Sequence, residues 1–152
     1  RAMRADKGFD TVECYRHVEH IVAKRQDVLL LECMSNLLAN EMYLEQDSDD
    51  GGLAETMSEV EKAGVGMSET LSPVSKKIVQ ALVNLSTRVQ ELVIVTNDVF
   101  SDGGSLTYDE STREYVKNLA EINCALAREA ATVTEVVCGI PVIVKENHPM
   151  GK

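Results

Sequence analysis

The chain has 152 residues, with 15 Lys or Arg against 25 Asp or Glu, a formal net charge of −10 at pH 7. That length is enough for one domain with its own core. The acidic balance excludes general nucleic-acid binding, which needs a basic face to neutralise phosphates, although a pocket for a single nucleotide needs only a few local cations.

Residues 12–25 set Val12, Tyr15, Val18 and Val22 at spacings that predict a helix with one apolar face. His17 and His20 would then stand one turn apart as a candidate metal pair. No acidic or thiol partner is identifiable, so a plain surface pair is the preferred reading. "DVLLLEC" (27–33) is a continuous apolar run bounded by charge, which predicts a strand buried on both faces. A carboxylate, Glu32, appears where that strand should end, with a helix beginning near Ser35.

The stretch 44–73 is acidic, Gly-bearing and weakly patterned, and reads as an insertion holding a helix between loops. Its "DSDDG" resembles a calcium loop, but the glycine falls one place early. Counted from Asp47, the twelfth position is Ser58 where such a loop needs Glu. A solvated acidic loop is the simpler reading.

Ser72 followed by Pro73 is an N-cap with proline at the first helical position. The helix predicted over 73–90 repeats Ile78, Leu82, Leu85 and Val89. "ELVIVTND" (91–98) is a second apolar run, ending in Thr96, Asn97 and Asp98, and a long loop follows. Residues 109–130 repeat Tyr115, Leu119, Ile122 and Leu126, another helix laid on a core. "VTEVVCGIPVIVK" (133–145) holds two β-branched runs around Gly139, Ile140 and Pro141, predicting a tight antiparallel connection. Strands alternating with helices predict an α/β fold with a mostly parallel sheet, flanking helices and an antiparallel C-terminal strand.

The four cysteines (Cys14, Cys33, Cys124, Cys138) form no C-x-x-C pair, and two inside apolar runs read as buried free thiols. The 152 residues contain no apolar stretch near 18 residues. The expectation is a reducing, cytoplasmic setting without a membrane.

Glu32 is the most informative position for chemistry. Open parallel sheets bind ligands beyond the carboxyl ends of their strands, and a carboxylate there can hold Mg²⁺ beside a nucleotide's phosphates. The alternative is that Glu32 merely caps the following helix, and the motif alone leaves both open. "VTND" could position substrate at a second strand end, or simply begin a connection. No G-x-x-x-x-G-K-[ST] occurs, and "GVGMSET" (64–70) has glycines but no lysine. Nor is there an elbow motif for Ser/His/Asp catalysis.

"TVECYRHVEHIV", "DVLLLECMSNLLANEMY", "LVIVTNDV" and "NLAEINCALAREAATVTEVVCGIPVIVK", in that order, resemble the adenosylcobinamide kinase / adenosylcobinamide-phosphate guanylyltransferase family (CobU/CobP). The match covers 1–43 and 91–145. The resemblance implies a P-loop-type α/β enzyme of cobalamin assembly. Such an enzyme phosphorylates adenosylcobinamide and then transfers GMP from GTP onto that phosphate through a guanylylated histidine. It also implies ATP or GTP as substrate, Mg²⁺ as cofactor and a homo-oligomer, a trimer.

By position, the resemblance places Arg1, Ala2, Met3 and Arg4 along the guanine nucleotide, with Glu13 as a nucleotide contact and Glu32 as the acidic residue at the strand end. Asn40, Asn97 and Asp98 are substrate-side candidates, and Glu32 is the metal candidate. The family's histidine falls immediately before Arg1 in this register. The chain therefore reads as the domain beginning just past its phosphate loop and nucleophile, expected to be inactive alone. Phe100 leading into "SDGGSLTYDE", and Tyr115-Val116-Lys117 on the next helix, depart from the family pattern. The rival readings are a degenerate, non-catalytic nucleotide- or corrinoid-binding module and an unrelated P-loop-like kinase fragment.

Overall fold

The apolar runs at 27–33 and 91–98 become neighbouring parallel strands, β1 (Val28–Leu31) and β2 (Glu91–Ile94), in register from Val28↔Glu91 to Leu31↔Ile94. The structure, a computed structural model, describes residues 7–44, 71–99 and 108–147. Most of the acidic insertion with its calcium-like loop, the positions of Arg1, Ala2, Met3 and Arg4, and the loop from Phe100 lie outside the described residues.

Three helices accompany the sheet: α1 (Met34–Tyr43), α2 (Pro73–Ser86) and α3 (Glu110–Glu129). Helix α2 starts where the sequence says it should. Pro73 occupies the first turn, and the Ser72 hydroxyl accepts the Ser75 N–H at 3.2 Å. Asp109 does the same for α3, its carboxylate accepting the Thr112 N–H at 2.7 Å. Each cap satisfies a donor that the first helical turn leaves without a partner.

The apolar stripes of these helices meet in one core. Met34, Leu38, Ile78, Leu82, Leu119 and Ile122 are almost completely buried there, and Leu31, Leu92 and Ile94 pack against them from the sheet. A full burial of this kind stabilises by about 1.5–3 kcal/mol per large aliphatic side chain. A buried polar seam crosses the core as well. The Ser75 hydroxyl donates to the Asn118 carbonyl at 3.3 Å, and the Asn118 amide donates to the Met42 sulfur at 3.5 Å. Burying a polar group is costly unless it is paired, so this paired seam favours one register of α2 on α3.

Two expectations are corrected here. The strands are not buried on both faces. Val28, Leu30 and Val93 are 58%, 48% and 41% exposed, while Leu29, Leu31, Leu92 and Ile94 face inward. Successive side chains of a strand point to opposite faces, and among the described residues the helices cover only one of them. Nor is 12–25 a helix. Only Val18–His20 form a turn of 3₁₀ helix, and Val12, Tyr15 and Val22 are exposed. His17 is left-handed at φ 56°, a conformation that interrupts any right-handed helix.

The C-terminal pair is antiparallel, as the sequence suggests: β3 (Thr132–Val137) and β4 (Ile140–Glu146). The turn falls one residue earlier than expected, on Cys138 and Gly139. Both have positive φ, 52° and 81°, as the tight hairpin turn that follows strand twist requires. Ile140 and Pro141 already belong to β4. The Lys145 ammonium anchors the hairpin to the end of α3, donating to the Ala127 and Arg128 carbonyls at 3.1 and 2.7 Å.

Candidate functional site

Because β1 and β2 run parallel, their carboxyl ends lie side by side. The Val95 N–H donates to the Leu31 carbonyl and the Met34 N–H to the Val95 carbonyl, both at 2.9 Å. The ladder thus runs past Ile94 and stops at the first residue of α1. Glu32 and Cys33 form the whole link between strand and helix, next to Val95 and Thr96, the two residues that follow β2. Glu32 is exposed. The N-cap of α1 is Cys33, not Glu32.

Helix α3 braces both strand ends. The Tyr115 hydroxyl donates to the Ser35 carbonyl at 3.1 Å, and the Thr96 hydroxyl donates to the Asn123 side-chain oxygen at 2.8 Å. Burial pushes the Tyr115 phenol up from its ordinary value, which keeps it a donor. The Cys33 sulfur and Ser35 hydroxyl are 3.0 Å apart. Cys33, Ser35, Thr96, Tyr115 and Asn123 thus surround the edge that sequence reasoning had represented by Glu32, Asn97 and Asp98. Their only sequence signal was adjacency to the strand ends and a place on the stripe of α3.

The other candidates are distributed differently. Asn97 and Asp98 are exposed beyond β2, on the same edge as Glu32. Asn40 lies six residues into α1, about 9 Å along the helix from its start, and its carbonyl accepts the Leu44 N–H at 3.2 Å. Glu13 is exposed on the irregular segment before His17, with its carboxylate accepting from the Tyr15 hydroxyl at 3.3 Å. Glu32, Asn97 and Asp98 thus all follow the carboxyl ends of the paired strands, whereas Asn40 lies within α1.

His17 and His20 stack with ring centroids 5.7 Å apart, and His17 Nδ1 lies 3.1 Å from a Glu19 oxygen. Among the described residues no group of three or more His, Cys, Asp or Glu side chains could hold a metal ion. Mg²⁺ does not need such a cage, because it binds through one or two carboxylates and completes its shell with water and substrate phosphates. An exposed carboxylate at a strand's carboxyl end fits that demand.

The thiols are free, yet none is fully buried, which corrects the expectation for the two in apolar runs. Cys33 sits at a helix start and Cys138 in a hairpin turn, and both places lie at the rim of the packing. Burial does push the half-buried Cys14 thiol up from its ordinary value.

A second cluster was invisible in the sequence. The Glu41 side chain on α1 is only 4% exposed, and it accepts the His17 backbone N–H and the Lys77 ammonium, each at 2.8 Å. Arg16 Nε lies 3.8 Å away, and the Arg16 guanidinium also donates to the Leu44 carbonyl at 3.2 Å. Burial by itself would raise the Glu41 carboxyl. The His17 N–H and Lys77 more than offset it and leave the group below the usual glutamate value. A depressed folded value stabilises the protein above the unfolded value of about 4.3. That contribution fades as pH falls through the lower folded value. Urea unfolding from pH 7 to pH 3 should therefore show stability falling at the acid end, with a shallower fall in Glu41→Gln. An identical slope in the variant would remove Glu41 from the acid response.

Open parallel sheets bind substrates and nucleotides beyond the carboxyl ends of their strands, and in this α/β domain that edge carries a carboxylate and polar groups. The chain belongs to the family described as cobinamide kinase / cobinamide phosphate guanyltransferase, which matches residues 1–144. A comparison with curated proteins returned no match. No helix among the described residues is long and apolar enough to cross a membrane.

Proposed function

We propose that the protein serves cobalamin biosynthesis by phosphorylating adenosylcobinamide and transferring GMP from GTP to the resulting phosphate. Family membership over residues 1–144 supports the reaction class. The observation that carries the site is Glu32, exposed in the two-residue link at the shared carboxyl end of β1 and β2.

In this reading Glu32 holds Mg²⁺, and Arg1, Ala2, Met3, Arg4 and Glu13 contact the nucleotide, while Asn97, Asp98 and Asn40 are the substrate-side residues. Bound Mg²⁺ offsets the charge of the phosphates during transfer. The role of this chain is to place a carboxylate on the metal, hold the nucleotide and orient the substrate. Tyr115 and Asn123 keep the edge in place by fixing Ser35 and Thr96. We assign to these residues the metal and nucleotide contacts, not the phosphate cradle. The setting is cytoplasmic and the assembly a homo-oligomer, a trimer by the family resemblance.

The test is to supply adenosylcobinamide, Mg²⁺, ATP and GTP to the full-length protein and to follow adenosylcobinamide phosphate and its GMP conjugate by mass spectrometry, with residues 1–152 alone expected to form neither. Formation of both supports the reading. One rival is a non-catalytic nucleotide- or corrinoid-binding module. That rival requires nucleotide or corrinoid binding with neither product formed.

A further inference from the structure

The Glu41 cluster joins three parts of the chain that the proposed site needs in fixed relation. Glu41 lies on α1, the helix that begins immediately after Glu32 and Cys33. Its carboxylate holds the backbone of His17, four residues after Glu13, and the side chain of Lys77 on α2. His17 is a non-glycine residue in the left-handed region, a backbone conformation that costs free energy and persists where surroundings over-determine it. Here the surroundings are identifiable. The N–H that this conformation turns outward from the segment is received by a buried, charged acceptor at 2.8 Å. Charge-assisted hydrogen bonds of this kind are roughly twice as strong as neutral ones.

The segment's other ties are mainly apolar. Val18 is buried and Cys14 and Ile21 pack against the core, whereas Val12, Tyr15 and Val22 are exposed. Arg88, just beyond the end of α2, donates to the Glu19 carbonyl at 3.3 Å, and Arg16 reaches the Leu44 carbonyl at the end of α1. The titratable and charged groups facing Glu41 are Arg16 and His17 from the segment itself and Lys77 from α2, with Glu19 beyond His17. One carboxylate therefore offsets two permanent cations while gripping the main chain.

We propose that Glu41 is a positioning residue that pins the left-handed His17 backbone and so sets where Glu13 is presented relative to Glu32. The proposal rests on the nucleotide-contact role given to Glu13 above. Glu41 touches neither nucleotide nor metal in this arrangement, and it acts through the main chain of residues 13–17.

Two variants separate the pin from general packing. Glu41→Ala removes the acceptor, while Glu41→Gln keeps an oxygen for the His17 N–H but loses the charge. Hydrogen exchange resolved by mass spectrometry should rise about tenfold or more over residues 13–20 in Glu41→Ala. The amides of α3 should stay protected and the circular dichroism unchanged. Binding of N-methylanthraniloyl-GTP with Mg²⁺ should weaken about tenfold in Glu41→Ala, with Glu41→Gln intermediate, as loss of a charge-assisted tie implies.

Unchanged exchange over 13–20 overturns the pin. Raised exchange with wild-type nucleotide affinity overturns the positioning role. Equal loss of protection throughout α3 in both variants also overturns it, because the effect is then one of global packing. A wild-type protein that fails to bind the GTP analogue is a different result. It removes the functional reading itself, and with it the link from Glu41 to the nucleotide.

Discussion

In the full-length protein, Glu32→Gln should lower both phosphoryl and guanylyl transfer by about a hundredfold at saturating Mg²⁺ and leave the unfolding midpoint in place. The size follows from losing one contact in a preorganised site, about 3 kcal/mol of transition-state stabilisation. The absence of a folding effect follows from position. Glu32 is exposed in the link between β1 and α1, and the N-cap of α1 is Cys33. Gln keeps the shape and loses the charge that Mg²⁺ requires. The measurement is steady-state kinetics of both half-reactions with a Mg²⁺ titration, beside a thermal melt of each protein. Wild-type rates in the variant would falsify the metal role. A melt shifted as far as the activity would make Glu32 a structural residue instead.

Leu119→Ala destabilises the protein by about 3 kcal/mol, within the range for emptying a buried leucine site. Leu119 is 0% exposed at the middle of α3, in the cluster that includes Leu38, Ile78, Leu82 and Ile122. Close packing from α1 and α2 leaves little room for the surroundings to collapse into the cavity. Asn118, the next residue, is already committed to Ser75 and Met42, which further limits relaxation. Urea unfolding should show a lower midpoint with the same slope. A loss below about 1 kcal/mol would mean the site collapses freely, contrary to a core held by that polar seam. Val136→Thr is the contrasting case. Val136 is 66% exposed on the hairpin, and its replacement should change stability by no more than about 0.5 kcal/mol.

Helices α2 and α3 were determined locally. Their apolar residues recur at helical spacing, and Ser72 and Asp109 supply cap oxygens from within the same few residues. The strands were equally legible, since a short aliphatic run bounded by charge has few other uses. So was the place of Glu32, because a carboxylate directly after such a run must fall at the strand's end. The hairpin needed only β-branched residues on either side of a glycine.

Tertiary structure decided everything that depends on residues distant in the chain. Apolar spacing over 12–25 imitates a helix, but a short helix without tertiary packing is marginal in water. The backbone N–H of His17 found instead a carboxylate 24 positions away, and Lys77 reached the same carboxylate across 36. No local pattern encodes that meeting, because it exists only once α1 and α2 have packed. Strand burial is the same kind of question. Composition states that a strand can be buried on both faces, but only the arrangement of neighbours settles which faces are covered. In the described residues the helices cover one face and leave Val28, Leu30 and Val93 exposed on the other. A periodic sequence fixes the direction in which each side chain points, whereas what it meets there is set by the rest of the chain.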